Sequence, residues 1–162
     1  MKKKIITLDE LEKEVQKAKR QGQRVVSTSG CFDILHAGHV MYLAEAKARG
    51  DILVVLLNSD SSVRALKGHL RPIVPEQERA TVIAGLESVD YVCIFSDRTP
   101  CSIIERIQPD IVVKGGDYAG VHIPEMDSTA IYGGRVTYVS MIDGCSTTNI
   151  VEKIKKTMEE SS

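Results

Sequence analysis

Apolar residues fall along this chain in two rhythms. The first is the short, uninterrupted run, of which Ile52-Leu53-Val54-Val55-Leu56-Leu57 is the clearest. A run without polar alternation marks a strand buried on both faces, as in a parallel sheet. The second is the helical spacing of apolar positions among charged ones. Together they predict a charged amphipathic helix over 7–21, with Thr7 as cap, Glu10 completing a capping box and Gly22 ending it. A strand follows over 25–29, then a helix over 37–49 and a turn at Gly50-Asp51. The 52–57 strand leads to a short helix over 62–67 and to another over 75–86 with Pro75 at its start. Strands are predicted at 91–95, 111–113 and 135–139, with a helix over 99–108 that stops before Pro109. Ser146 or Thr147 caps a final helix reaching about Glu160.

Five strands alternating with helices give an α/β fold with a five-stranded parallel sheet and right-handed crossovers. Ligands in such folds bind beyond the carboxyl ends of the strands, where strand order reverses. The polar clusters at 30–39, 58–60, 114–117 and 143–148 all sit at predicted strand ends. Their common placement predicts one site built from several loops.

Composition narrows the class. The chain has 162 residues, 43% hydrophobic and 27% charged, and a formal charge of −1. That suits one soluble globular domain over 1–162, with the N-terminal helix at about 7–21 and a core over about 24–160. A near-neutral charge advertises neither a nucleic-acid nor a membrane surface. The Lys2-Lys3-Lys4 run reads as a solvated tail. No stretch has the length of a transmembrane helix, and no signal peptide opens the chain, so a cytoplasmic location is expected. Cys31, Cys93, Cys101 and Cys145 are widely spaced and read as free thiols.

The candidate chemistry begins at His36-Ala37-Gly38-His39, directly after the first strand. Histidines at i and i+3 share a helix face. At a helix start they stand beside free backbone N–H groups that attract anions. Zinc is disfavoured, because it wants three or four ligands and only Cys31 lies near. The stretch is neither G-x-G-x-x-G nor a Walker loop. Gly30 permits a tight turn, and Gly38 lets a ligand lie against the helix.

Gly30-Cys31-Phe32-Asp33-Ile34-Leu35-His36-Ala37-Gly38-His39 resembles the signature of the cytidylyltransferase-type nucleotidyltransferase superfamily. Cys145-Ser146-Thr147-Thr148 resembles that superfamily's second signature, more than a hundred residues on. Asn58-Ser59-Asp60, Leu66-Lys67-Gly68, Arg71-Pro72, Glu78-Arg79, Lys114-Gly115-Gly116-Asp117-Tyr118 and the 143–149 segment narrow the likeness to the adenylyltransferase domain of ADP-heptose synthases. Met141 stands where glycerol-3-phosphate cytidylyltransferases carry an arginine, which weighs against that activity.

The resemblance implies a Rossmann-like three-layer α/β/α nucleotidyltransferase fold. It also implies transfer of AMP from ATP to D-glycero-β-D-manno-heptose 1-phosphate. In those terms His36, His39 and Lys67 are the catalytic candidates, the histidines donating to the α-phosphate. Ser146, Thr147 and Thr148 hold the β- and γ-phosphates, Arg79 clamps phosphate, and Gly30, Cys31, Phe32, Gly38, Lys114, Gly116 and Asp117 complete the nucleotide site. The alternative for Arg79 is a surface pair with Glu76. Asp33 organises the first loop or helps hold Mg²⁺, which is expected with ATP. His69 and His122 receive no role.

In many bacteria this domain is fused to a sugar kinase. None is present here, so a stand-alone enzyme fed by a separate heptose kinase is expected, and a homodimer, the commonest assembly. Two alternatives stay open: a cytidylyltransferase using CTP and glycerol 3-phosphate or another phosphorylated alcohol, and a nucleotide-binding regulatory module without turnover.

Overall fold

The computed structural model describes residues 3–140 and 142–162. Met141, whose identity bore on the choice of nucleotide, lies outside the described residues, as does Lys2. The chain runs α1 (Leu8–Arg20), β1 (Val25–Gly30), α2 (Ala37–Lys47), β2 (Ile52–Asn58), α3 (Asp60–Lys67) and α4 (Glu76–Ala84). It continues β3 (Tyr91–Phe95), α5 (Cys101–Ile107), β4 (Ile111–Gly115), a 3-10 turn (Gly116–Tyr118), α6 (Pro124–Ala130), β5 (Arg135–Val139) and α7 (Thr147–Glu160). All four strand pairings are parallel, in the order β3-β2-β1-β4-β5. Strand order therefore reverses between β1 and β4.

The unbroken apolar runs are explained by burial on both faces. Alternate residues of β2 feed opposite layers: Leu53, Val55 and Leu57 pack with Leu43 and Ala46 of α2 and Ala80 and Ile83 of α4. Val54 and Leu56 pack with Leu11 and Val15 of α1 and Ile103, Ile104 and Ile107 of α5. The result is the three-layer α/β/α arrangement. Away from the site, carboxylates tie down strand starts: Val25 N donates to Asp110 at 2.8 Å and Leu53 N to Asp90 at 2.7 Å.

Local signals hold closely. Thr7 and Glu10 form the reciprocal capping box of α1, and Ser146 Oγ accepts from Asn149 N at the start of α7. Four helices differ from the pattern by two residues at an end, among them α4, which stops at Ala84. α2 stops at Lys47, α3 starts at Asp60 behind its cap Ser59, and α5 starts at Cys101. α6 was not predicted at all; its apolar positions, among Pro124-Glu125-Met126-Asp127, are too few to show a period. It is held by buried Glu125, Ser128 and Thr129 rather than by an apolar stripe. Among the described residues no helix is long and apolar enough to cross a membrane.

Candidate active site

A cleft of about 340 Å³ opens at the carboxyl ends of β1 and β4, where strand order reverses. Its floor is built from β1. Gly30 ends that strand, and Phe32 follows with φ at +44°, a left-handed conformation uncommon for a bulky residue. That turn folds the Phe32 ring back over Gly30, where an added Cβ would stand 2.9 Å from the ring. The same ring meets His39 edge-on, with centroids 5.1 Å apart. Beneath, Thr28 and Tyr42 share a hydrogen bond of 2.7 Å, and each has contact with the Val113 carbonyl. Burial pushes the Tyr42 phenol up to about 12, so it serves as a neutral strut.

His36 and His39 meet as the i, i+3 spacing requires. Their rings stack, with centroids 3.8 Å apart and planes 22° apart. His36 occupies the N-cap position of α2, yet its ring makes no capping bond. Nδ1 of both rings is buried and without a protein partner. Burial lowers His36, and burial, His36 and the Lys67 ammonium push His39 down to about 4. Both imidazoles are therefore neutral at pH 7 in the unliganded protein.

The far wall is the start of α7. Ser146, Thr147 and Thr148 line the cleft. Ser146 accepts from Asn149 N at 3.0 Å and keeps its own O–H to donate. The two helix N-termini approach so closely that a Cβ on Gly38 would stand 2.9 Å from Cys145 Cβ and 2.9 Å from the His36 ring. Two positive helix ends thus face one cavity, an anion site made from backbone. Cys31 and Cys145 both line it; burial raises the Cys31 thiol and makes it a poor nucleophile.

Lys67 lines the cleft from the end of α3, and Asp117 lines it from the 3-10 turn after β4. Several expected groups are placed elsewhere. Arg79 is no phosphate clamp: its side chain is fully buried and donates to the carbonyls of Val74, Cys31 and Asn58 and to Asp60 Oδ1, at 2.6 to 2.8 Å. Nor does it pair with Glu76, whose carboxylate accepts from Asp60 N. Arg79 instead ties the end of β2 to the loop after β1 that leads to His36. Lys114 is engaged by buried Glu125 at 2.8 Å, and its ammonium lies 3.5 Å from Ser29 Oγ and over the Tyr118 ring, both of which line the cleft. Gly116 packs against the Val139 carbonyl rather than on the cavity.

Asp33 organises its loop, and its oxygens are not free for a metal. They accept from Arg71 Nε at 2.6 Å and from the backbone N–H groups of Ile73 and Val74 at 2.9 Å. Burial works to raise this carboxyl, but those bonds outweigh it and hold the group below its ordinary range. Arg71, Tyr42 and Tyr118 also border the cleft without having been predicted to. The Arg71-Pro72 pair was visible in the sequence, but only the fold shows that it turns back onto Asp33.

The cytidylyltransferase-like family model matches residues 27–161, which span both signatures. The chain belongs to the cytidylyltransferase-like family of nucleotidyltransferases. Among curated proteins it is 52% identical over 152 residues to the bifunctional protein HldE of Geotalea uraniireducens, covering 94% of this chain and 31% of that protein. It is 48% identical over 157 residues to the bifunctional protein HldE of Geobacter sulfurreducens, covering 97% of this chain and 32% of that one. The chain thus spans about a third of the length of these relatives. Among solved structures it resembles the lipopolysaccharide core biosynthesis protein of Thermoplasma volcanium, with a TM-score of 0.61 and 32% identity over 75% of this chain and 98% of that one.

Proposed function

We propose that the protein transfers AMP from ATP to D-glycero-β-D-manno-heptose 1-phosphate, releasing pyrophosphate. The observation that carries the chemistry is the convergence of two helix N-termini, one bearing His36 and His39 and the other Ser146 to Thr148, on one cleft. Identity near 50% to bifunctional HldE proteins over almost the whole chain supports the choice of ATP and a heptose phosphate.

The reaction is an in-line displacement. A phosphate oxygen of the sugar attacks the α-phosphorus of ATP and forms the new P–O bond. The bond from that phosphorus to its bridging oxygen breaks, and the electron pair leaves with pyrophosphate. A phosphate monoester is already ionised at neutral pH, with a second pKa of about 6, so no general base is needed. This agrees with imidazoles held neutral. Their task is to donate hydrogen bonds to the α-phosphate as negative charge builds there, as fixed donors do in displacement at phosphorus. The start of α7 receives the β- and γ-phosphates through backbone N–H groups and hydroxyls. Mg²⁺ enters with ATP as part of the nucleotide substrate. Of the two aspartates bordering the cleft, Asp33 has its oxygens engaged, which leaves Asp117. A sugar kinase supplies the acceptor.

Pyrophosphate release decides the reading. ATP and CTP are each offered with both anomers of D-glycero-D-manno-heptose 1-phosphate, and glycerol 3-phosphate serves as control acceptor. Release with ATP and the β-anomer alone is expected. Release with CTP and glycerol 3-phosphate keeps the mechanism and overturns the substrates. ATP binding with no release from any pair points first to a different acceptor and, if a broad acceptor panel also fails, to a nucleotide-binding module.

A further inference from the structure

We propose that Arg71 is a ligand of the acceptor's phosphate, acting beside Lys67, and so sets the enzyme's affinity for its acceptor. The inference rests on the transfer reaction above but names a residue that reaction did not use.

Three observations lead to it. The first is topological. Strand β1, which delivers His36 and His39, lies between β2 and β4 in the sheet. Lys67 and Arg71 line the cleft from the connection that follows β2. Asp117, Tyr118 and the start of α7 line it from the segments that follow β4 and β5. An in-line displacement needs the entering and leaving oxygens on opposite sides of phosphorus. With the α-phosphate at the histidines and pyrophosphate at the start of α7, the attacking phosphate falls on the β2 side.

The second is the state of the two arginines near that side. Arg79 has its guanidinium engaged by four protein acceptors. Arg71 gives only Nε, to Asp33, and among the described residues its two terminal nitrogens meet no acceptor. Those nitrogens keep the planar, paired geometry that matches two phosphate oxygens.

The third is preorganisation. The Arg71 side chain is only 19% exposed, and its carboxylate partner is 1% exposed. The same carboxylate grips the backbone of Ile73 and Val74, so the segment carrying Arg71 is fixed to the loop between β1 and His36. An arginine held this way loses little freedom on binding. With Asp33 offsetting one charge, Lys67 and Arg71 together bring about one net positive charge to a phosphate monoester of about −1.5 to −2.

The test compares wild type, Arg71→Met and Arg71→Lys in initial-rate pyrophosphate release, with acceptor and ATP varied separately. Expected for Arg71→Met is a rise in the acceptor KM of about 10- to 100-fold, the scale of lost hydrogen bonds to a charged group, with the KM for ATP within about twofold. Arg71→Lys, which keeps the charge but loses the fork, falls between. An unchanged acceptor KM, or a rise in the KM for ATP alone, overturns the proposal. Circular dichroism checks folding; if Arg71→Met does not fold, Arg71→Lys decides on the same readings. If wild type does not turn over any heptose phosphate, the proposed function fails by itself. Calorimetric binding of inorganic phosphate to the complex with α,β-methylene ATP then decides on Arg71. Binding to wild type that is lost in Arg71→Met supports it. Equal binding to both, or none to wild type, overturns it.

Discussion

His39 shows how one residue's environment sets both chemistry and stability. Its depressed pKa, about 4, means that the folded state resists a proton which the unfolded chain accepts near 6.5. Between those values the unfolded state binds more protons, so stability contributed by His39 is present above about pH 6.5 and is lost as pH falls toward 4. His39→Asn should flatten the fall in melting temperature between pH 7 and pH 4.5, measured by thermal denaturation across pH. His39→Ala, which removes the ring and its donor altogether, should lose on the order of 10²-fold in kcat for pyrophosphate release. Gly38 is required for a different reason. A Cβ there meets Cys145 Cβ and the His36 ring at 2.9 Å each, so Gly38→Ala must separate the two helix starts or turn the ring. A displacement near 1 Å costs about 10²-fold when it moves a reacting group. Gly38→Ala is expected to lose that much activity while its circular dichroism spectrum stays native; activity within a few-fold of wild type would show that the two helix starts need not touch.

Among the elements, the loops around the cleft depend on buried polar groups rather than on apolar packing. Arg79 on α4 joins β2, the loop after β1 and the start of α3 through one guanidinium. Arg79→Met removes it and leaves three carbonyls and the Asp60 carboxylate without their donor. The expected loss is about 3–5 kcal/mol, read from urea unfolding, because an uncompensated buried polar set is left behind. A loss below about 1 kcal/mol would mean that water replaces the guanidinium. A sequence pattern cannot reveal this role: an arginine three residues after Glu76 on a helix has the same local spacing whether it faces solvent or the core. The same holds for Lys114, whose partner Glu125 lies on a helix with no apolar period to announce it.

For the whole molecule, stability is graded across the fold and the site draws on its weakest part. The sheet and the flanking helices α1, α2, α4 and α5 contain the two apolar clusters, whereas α7 has no buried residue, and Ile154 and Met158 on it stay exposed. Hydrogen exchange should therefore find α7 the least protected of the longer helices. ATP at 100 times its Kd should add about 2.7 kcal/mol of stability and slow exchange in the first turn of α7. Protection confined to other segments would remove α7 from the phosphate site. Much of this architecture is legible along the chain. Apolar runs, helical spacing, the Thr7 and Ser146 caps and the i, i+3 histidines are local signals, because burial on two faces, helix periodicity and capping each act over a few residues. They determined the α/β class, all five strands and the pairing of His36 with His39. Only the tertiary structure decided that Arg79 is a buried strut, that Lys114 pairs with Glu125, that Asp33 clasps Arg71, and that Arg71 borders the cleft. The physical reason is that a charged side chain's task depends on which acceptor it meets, and apart from the Val74 carbonyl these acceptors lie 11 to 48 residues away, beyond the reach of any local pattern.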